Sequence, residues 1–362
     1  MLDKMSKRIQ KIIVVYILIL LSASILTSWI IQTQNSIILT DTLGRTIEFN
    51  KPPSRVVTLS PSITEIMSEL GVLDAIIGAD TYSYNDWYLN ISRILINQNV
   101  SVVGGYWWST IKVEEILKLN PDVVLADKGA HRPLLETLES YGLKTIYLHG
   151  GSATSINDVY NDIYTIGLLF NRTERALELI NEISEVLESS RTLLEPYREK
   201  RVLVVIDLWQ GIWVAGRGTY IDDLLSKLGL INAADLYGWG SVNIETVYRW
   251  NPDLIIIACS YPEDTIRSAG LYDLEKPVVQ LNETEIDILS RPGPMLKLAP
   301  RVVFNTLIKA LGNQTNTTQQ PVQQFTREKK TDIDIVLTTG LVIVAVALII
   351  LGILVAGKKK TS

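Results

Sequence analysis

The residues able to do chemistry in this chain are few, and they fall in a pattern. Glu114-Glu-Ile-Leu-Lys-Leu-Asn-Pro-Asp122-Val-Val-Leu-Ala is echoed by Glu245-Thr-Val-Tyr-Arg-Trp-Asn-Pro-Asp253-Leu-Ile-Ile-Ile. Each copy reads as a short helix, an Asn-Pro stop and a buried strand. Asn tolerates the left-handed backbone that ends a helix, and Pro cannot continue one. Each copy also sets a Glu six residues before its Asn. Equivalent carboxylates on two equivalent units can present paired negative charge on one face of the molecule. The plainer alternative is that each Glu only favours the dipole at the start of its own helix.

Aromatic residues supply the second pattern. Tyr82, Tyr84, Trp87 and Tyr88 form one group, and Tyr106-Trp107-Trp108 lies just ahead of the first Glu helix. Trp209, Trp213, Tyr220, Tyr237 and Trp239 precede the second. Aromatic faces with polar tips suit a large, flat, partly apolar ligand. Trp250, on a helix, and Trp209, beside a strand, read instead as core. Trp107 and Trp108 are adjacent, so on extended backbone they point opposite ways and one of them suffices for a ligand.

The catalytic inventory is thin. His131 and His149 are the only histidines, too few for a multi-histidine metal site, so neither metal nor cofactor is expected. The single cysteine, Cys259, forms no internal disulfide and sits in an apolar run that reads as a buried strand. The chain has no Gly-x-Ser-x-Gly elbow, phosphate loop or His-Glu-x-x-His. Gly216-Arg-Gly218 lacks the third glycine of a dinucleotide fingerprint, and Asp222-Asp223 reads as a helix start. These absences argue against an enzyme.

The elements that must position these residues alternate short β-branched runs with helical patterns, which is α/β construction. In the first half, Arg55–Leu59, Asp122–Ala126 and Lys144–Leu148 read as strands, with helices at Ser62–Leu70, Val113–Leu119 and Arg132–Tyr141. In the second half the strands are Arg201–Ile206, Trp213–Ala215, Asp253–Cys259 and Pro277–Leu281, with helices at Ile221–Leu228 and Ile244–Trp250. Between the halves a long helical pattern runs over Ile156–Phe170 and Arg172–Glu195. Ala176, Ile180, Ile183 and Leu187 line one side of it, and Asn171 with Glu174 gives an N-cap signal. The expected fold is two α/β lobes joined by a long rigid linking helix.

The 362 residues divide unevenly in charge and hydropathy. Between Ser36 and Gly312 there are 24 Lys and Arg against 35 Asp and Glu, a balance of −11 that leaves no broad footprint for nucleic acid. Basic Lys4, Lys7, Arg8 and Lys11 precede the apolar run Ile12–Ile31, the layout of an export signal, either cleaved near Ser22-Ala23-Ser24 or kept as an anchor. Ile335–Ala356 is 22 residues without charge, enough to span a hydrocarbon core of about 30 Å. Lys358–Lys360 follow and place the tail in the cytoplasm. The organisation expected is a signal or anchor over 1–35, lobes over 36–153 and 197–312, and linking helices over 154–196. A polar stalk over 313–334, a membrane helix over 335–357 and a basic tail over 358–362 complete it. Sequons begin at Asn90, Asn99, Asn171, Asn282, Asn313 and Asn316, as suits an exported chain.

Arg55-Val-Val-Thr-Leu-Ser-Pro-Ser-Ile-Thr-Glu-Ile-Met-Ser-Glu-Leu-Gly71, the two Asn-Pro-Asp blocks, Ala215-Gly-Arg-Gly-Thr-Tyr-Ile-Asp-Asp-Leu-Leu and Arg291-Pro-Gly-Pro294 resemble, in order, the extracytoplasmic solute-binding proteins of cobalamin and ferric-siderophore importers. The resemblance runs from about Arg55 to Leu311. It implies a ligand held in the cleft between two lobes, little hinge motion, and delivery to an ABC permease with its ATPase subunits. It also implies that Glu114 and Glu245 pair with permease arginines. Lys112 stands where the family has a small hydroxylic residue, which leaves the first helix without its usual cap. The aromatic positions resembling those of cobalamin-binding members are Tyr84, Trp107 or Trp108, Trp213 and Trp239. Tyr106 neighbours them, and Arg291 belongs to the C-terminal motif. Arg217 and Arg291 are the obvious cleft cations, and Met295 replaces the family's next arginine. So few cations on an acidic body favour a corrinoid, with a ferric siderophore second and haem third. A surface receptor that keeps the fold without a permease is the further alternative.

Overall fold

The computed structural model describes residues 36–312. The apolar segments at 12–31 and 335–356, the stalk, and the sequons at Asn313 and Asn316 lie outside the described residues. Among the described residues no helix is long and apolar enough to cross a membrane.

An antiparallel hairpin of β1 (Ile37–Thr40) and β2 (Thr46–Phe49) opens the body. Asp41 turns it by accepting the Leu43 and Arg45 amides at 3.0 Å each. The first lobe is a parallel sheet of β3 (Val56–Thr58), β4 (Ile76–Ala79), β5 (Ser101–Val102), β6 (Val123–Asp127) and β7 (Thr145–Leu148), in the order β5-β4-β3-β6-β7. Strands β3, β6 and β7 are buried at every residue, as parallel strands covered on both faces should be. The chain moves outward from β3 to one edge and then returns to the other. Its direction therefore switches between β3 and β6, and the carboxyl ends of these two strands flank the crevice where such sheets take ligands.

The second lobe holds β8 (Arg201–Asp207), β9 (Ile212–Ala215), β10 (Ile231–Asn232), β11 (Trp239–Val242), β12 (Leu254–Ile257) and β13 (Val278–Gln280). Their order is β11-β9-β8-β12-β13, with β10 beside β8. Strands β12 and β13 run parallel to β8, while β9 is antiparallel to both of its neighbours. The sheet is mixed because the β8–β9 turn is too short for a crossover.

Two helices separate the sheets. Ile156–Leu169 starts on a Ser155 side-chain cap and packs against Thr173–Leu193, whose 21 residues reach about 32 Å. They approach closely at Gly167, where an added Cβ would come within 2.5 Å of the Ala176 side chain. Asn171 does not cap the second helix. It takes φ 54° in the turn between them, and Arg172 starts the second helix without a side-chain bond. A residue in the left-handed conformation is ending a helix, and that use displaces the capping one.

Other expectations shift in detail. The stretch expected as one helix over Arg132–Tyr141 divides into a 3-10 turn at Arg132–Leu134 and the helix Leu135–Ser140, because Pro133 interrupts the ladder, and a separate short helix at Lys128–His131 precedes it. Cys259 is buried just beyond β12 rather than within a strand, and burial pushes its thiol up to about 12. The two echo helices fall at Val113–Leu119 and Ile244–Trp250, each ended by a left-handed Asn, with φ 45° at Asn120 and 46° at Asn251.

Candidate functional site

The carboxyl edge of the first sheet gathers the loops after β4, β5, β6 and β7, and Asp127 at the end of β6 ties together the last three. Its Oδ1 accepts the Gly129 and Ala130 amides at 2.7 and 3.2 Å. Its Oδ2 accepts the Tyr106 hydroxyl at 2.7 Å and the Gly151 amide at 2.8 Å. Gly150 takes φ 49°, and a Cβ there would strike this carboxylate at 2.3 Å, so both backbone and space require glycine. His131 is fully buried behind it. The Asp127 amide donates to His131 Nδ1 at 3.0 Å, so the ring carries its proton on Nε2, which bonds the Tyr106 carbonyl at 2.6 Å. Burial lowers the His131 pKa, which keeps the ring neutral. Burial likewise raises the Tyr106 hydroxyl well above its ordinary value, so it stays a donor.

The second lobe reaches this edge through β11. The Trp239 indole donates to the Gly151 carbonyl at 3.1 Å, and its ring lies 5.9 Å from that of Tyr220. The Tyr220 amide donates to the Ala153 carbonyl at 3.1 Å, and Asp223 accepts the Ile156 amide at 2.8 Å. These bonds join the lobes along residues 151–156. Trp213 belongs to the same face. It lies opposite Ser241 on β11, and Ala215, two residues on, lies opposite Trp239. Residues two apart on a strand share a face, and directly opposed residues do too.

Tyr106 and Trp239 are thus brought together, with Trp213 on the same sheet face as Trp239. Trp107 and Trp108 stand at the rim, 60% and 47% exposed, with the Tyr106 and Trp107 rings 5.3 Å apart. They do not diverge along a strand, because Trp108 begins a 3-10 turn and both remain accessible. Tyr84 is half-buried against the main core at the end of the short Thr81–Tyr84 helix. Trp250 packs partly against the second-lobe core, as expected. Trp209 does not. It is 62% exposed in the β8–β9 turn, where its carbonyl accepts the Trp213 indole at 2.9 Å.

The expected cleft cations are otherwise engaged. Arg217 pairs with Asp235 at 2.6 Å on the surface. Arg291 is 11% exposed at its side chain, and its guanidinium lies 3.1 Å from Glu65, 3.2 Å from Asp86 and 2.7 Å from Asp287. Residues that sequence reasoning did not single out are Asp127, Gly151 and the buried Asp80. Burial pushes the Asp80 carboxyl up to about 6, although the Ser83 hydroxyl and the Tyr82 and Ser83 amides all donate to it. The internal echo carries no signal for them, since its first copy spans only Glu114–Ala126.

Glu114 and Glu245 are both exposed on the first turns of their helices. Neither has an ion-pair partner among the described residues, whereas neighbouring Glu115 is held by Lys118 at 2.8 Å. The helices are anchored alike. The Asp122 amide donates to the Arg55 carbonyl at 2.7 Å and the Asp253 amide to the Arg201 carbonyl at 2.8 Å. Each arginine bonds back to a carbonyl at the end of its helix, Arg55 to Asn120 at 3.2 Å and Arg201 to Trp250 at 3.0 Å.

The chain belongs to the periplasmic binding protein family, whose model matches residues 56–276. It is 25% identical over 266 residues to an uncharacterized ABC transporter substrate-binding lipoprotein of Bacillus subtilis, covering 71% of this chain and 80% of that one. It is 27% identical over 289 residues to a cobalamin-binding protein of Halobacterium salinarum, covering 79% and 70%. Among solved structures, a possible iron-binding (periplasmic solute-binding) protein from Staphylococcus epidermidis matches with TM-score 0.57 and 25% identity. That match covers 71% of this chain and 99% of the other. Members of this family carry a solute and do not transform it, so the chain is not an enzyme.

Proposed function

We propose that this chain captures a corrinoid in the cleft between its lobes and delivers it to an ABC permease. In this reading the body is exported by the segment at 12–31 and tethered to the membrane by the segment at 335–356. The observation that carries it is the convergence of Tyr106 and Trp239 at the carboxyl edge of the first sheet, with Trp107 and Trp108 exposed beside them. A corrin ring presents a broad apolar face and a polar periphery, which indole faces and hydroxyl or indole N–H tips complement. The cobalamin-binding relative points the same way. Arg291 serves the inter-lobe contact rather than the ligand, since protein carboxylates surround its guanidinium. Tyr84 and Trp213 complete the apolar wall. Glu114 and Glu245 meet cationic residues of the permease and fix its register on the two lobes, a role that free, exposed carboxylates suit.

A second reading rests on Lys128 and Arg132, which follow β6 and have no carboxylate partner among the described residues. Lys128 is near enough to His149 to oppose the rise that Asp162 causes in the imidazole pKa. Two uncommitted cations at that edge suit an anionic periphery, as on a ferric siderophore or haem.

The deciding experiment titrates the full-length chain with cobalamin while following tryptophan fluorescence, with haem and a neutral ferric siderophore in parallel. Saturable quenching by cobalamin, weakened about 30-fold or more in Trp239→Ala, is the expected result for a central aromatic contact. Saturation by the siderophore or haem alone replaces the ligand and leaves the importer reading standing. In uptake assays, Glu114→Arg or Glu245→Arg should abolish transport while leaving ligand affinity unchanged. Uptake that survives both reversals removes the docking role.

A further inference from the structure

The two motifs that carry the resemblance at either end of the body meet in space. Helix Pro61–Glu69 of the first lobe contributes Glu65, which is fully buried, and the loop after the Thr81–Tyr84 helix contributes Asp86, also buried. Against them stands Arg291, from the turn after the second-lobe helix Glu283–Ser290. Arg291 Nη1 donates to Glu65 Oε1 at 3.1 Å, and Nη2 donates to Asp287 at 2.7 Å. Asp86 Oδ2 lies 3.2 Å from Nη1 but outside hydrogen-bonding geometry. Gly293 makes the approach possible, since a Cβ there would stand 3.2 Å from both Glu65 Oε2 and the Ser62 side chain.

Three carboxyl groups therefore surround one guanidinium, and two of their oxygens, Glu65 Oε2 and Asp86 Oδ2, are buried without a hydrogen-bond partner among the described residues. Unpaired buried charge is among the costliest features a fold can hold, and two carboxylates buried at one site disfavour each other's ionisation. The other charged groups around the site are already committed. Glu69 is shared by Arg175, Lys297 and the Tyr88 hydroxyl, and Asp287 also accepts the Trp87 indole at 2.8 Å. Among the described residues, Asp80 and the buried Tyr220 are the remaining titratable groups within electrostatic reach, and neither is a cation.

We infer that Glu65 and Asp86 share one proton, and that this proton closes a clasp with Arg291 that holds the two lobes at a fixed separation. One proton leaves a single negative charge between Glu65 and Asp86 for Arg291 to balance, and it supplies the donor that the two orphaned oxygens lack. Burial raises the pKa of both carboxyl groups, consistent with that proton being retained. The clasp positions Trp239 against Gly151, because it ties the second lobe to the first-lobe helix that follows β3. Above the pH at which the shared proton leaves, repulsion between the two carboxylates should loosen the lobes. The aromatic cleft should widen without any change in its own residues.

The test is infrared spectroscopy of the full-length chain at about pH 7, where ordinary carboxyl groups are ionised. A carbonyl band of a protonated carboxylic acid is expected, present in wild type and lost in both Glu65→Gln and Asp86→Asn. Asp80 and Asp162 are buried carboxyls that can add to the band, so the loss in those two variants, and not the band alone, identifies the pair. A wild-type spectrum without such a band overturns the inference even if neither variant folds. The second measurement places one spin label on each lobe and follows their separation as pH is raised. Wild type should widen, and Asp86→Asn should not, because its amide supplies the bond without a titrating proton. Equal widening in both overturns the coupling between the proton and the lobes.

Discussion

The two lobes are built on the same plan but differ in their interiors. Among the described residues, the first lobe buries twelve polar or charged side chains, from Asp41 to Thr145, and the second buries two, Thr219 and Thr306. In the first lobe these groups form chains. Thr58 and Thr64 share a hydrogen bond at 2.7 Å, Thr64 donates to Ser83 at 2.8 Å, and Ser83 donates to Asp80. The corresponding edge of the second lobe carries Asp207, Tyr261 and Gln280, all only half-buried. Tyr261 donates to Asp207 at 2.7 Å there. The first lobe thus spends its carboxyl edge on a satisfied polar scaffold that orients loops, while the second supplies apolar surface through Trp213 and Trp239. Fixed polar networks specify one arrangement because any other leaves buried groups unpaired.

The largest effect should come from removing the cation at the junction. Arg291→Ala leaves Glu65 and Asp86 buried without it and should cost about 3–5 kcal/mol in urea denaturation. Its surface counterpart in the same lobe, Arg217→Ala, breaks an exposed pair and should stay within about 0.5 kcal/mol. Comparable losses from the two would erase the distinction between the buried junction that the first lobe's carboxyl groups form and the exposed surface of the second lobe.

Next in size is a dependence on pH that belongs to the first lobe. Asp80 has a folded-state pKa of about 6, above its unfolded value, so the folded chain holds a proton that the unfolded chain has released. That contribution to stability is complete below about pH 4 and is lost as pH rises through about 6, to a limit of about 3 kcal/mol. His149 continues the trend at higher pH, because its hydrogen bond to Asp162 raises the imidazole pKa. Subtracting the stability curve of Asp80→Asn from that of wild type should isolate the acidic limb. A flat difference would mean that Asp80 is ionised in the fold.

The smallest effect sharpens the comparison between the echo helices. In the second lobe the Asn243 side chain accepts the Thr246 amide at 3.0 Å, whereas Lys112 in the first makes no side-chain cap. The first helix is held instead by its backbone, through the Lys112 amide bonded to the Val103 carbonyl at 2.8 Å. Asn243→Ala should therefore cost about 1 kcal/mol, and Lys112→Asn should gain a few tenths to about 1 kcal/mol. A loss from Lys112→Asn would show that the tertiary anchor cannot accommodate a cap.

Local interactions made much of this legible in the chain. The Asn-Pro stops required the left-handed turns seen at Asn120 and Asn251, because no tertiary contact is needed to exclude proline from a helix. The echo helices were legible end to end for the same reason. Strands β4 and β11 were not, since Ile76-Ile-Gly-Ala and Trp239-Gly-Ser-Val carry glycine and little alternation, and only pairing with neighbours makes them strands. Trp209 was misread as core because its type favours burial, while the turn it occupies faces solvent.

What the sequence determined by itself is the alternation of elements, their stops, the acidic body and the equivalent placing of Glu114 and Glu245, all set by residue types over short spans. What only the tertiary structure decided is which side chains meet. Asp127 collects four donors from three separate loops, and Trp239 reaches across to Gly151. Arg291 joins a helix more than two hundred residues earlier in the chain, at a sequence separation of 226. Contacts at such separations follow from how sheets and helices pack as whole bodies, and the spacing of residues along the chain carries no local trace of them.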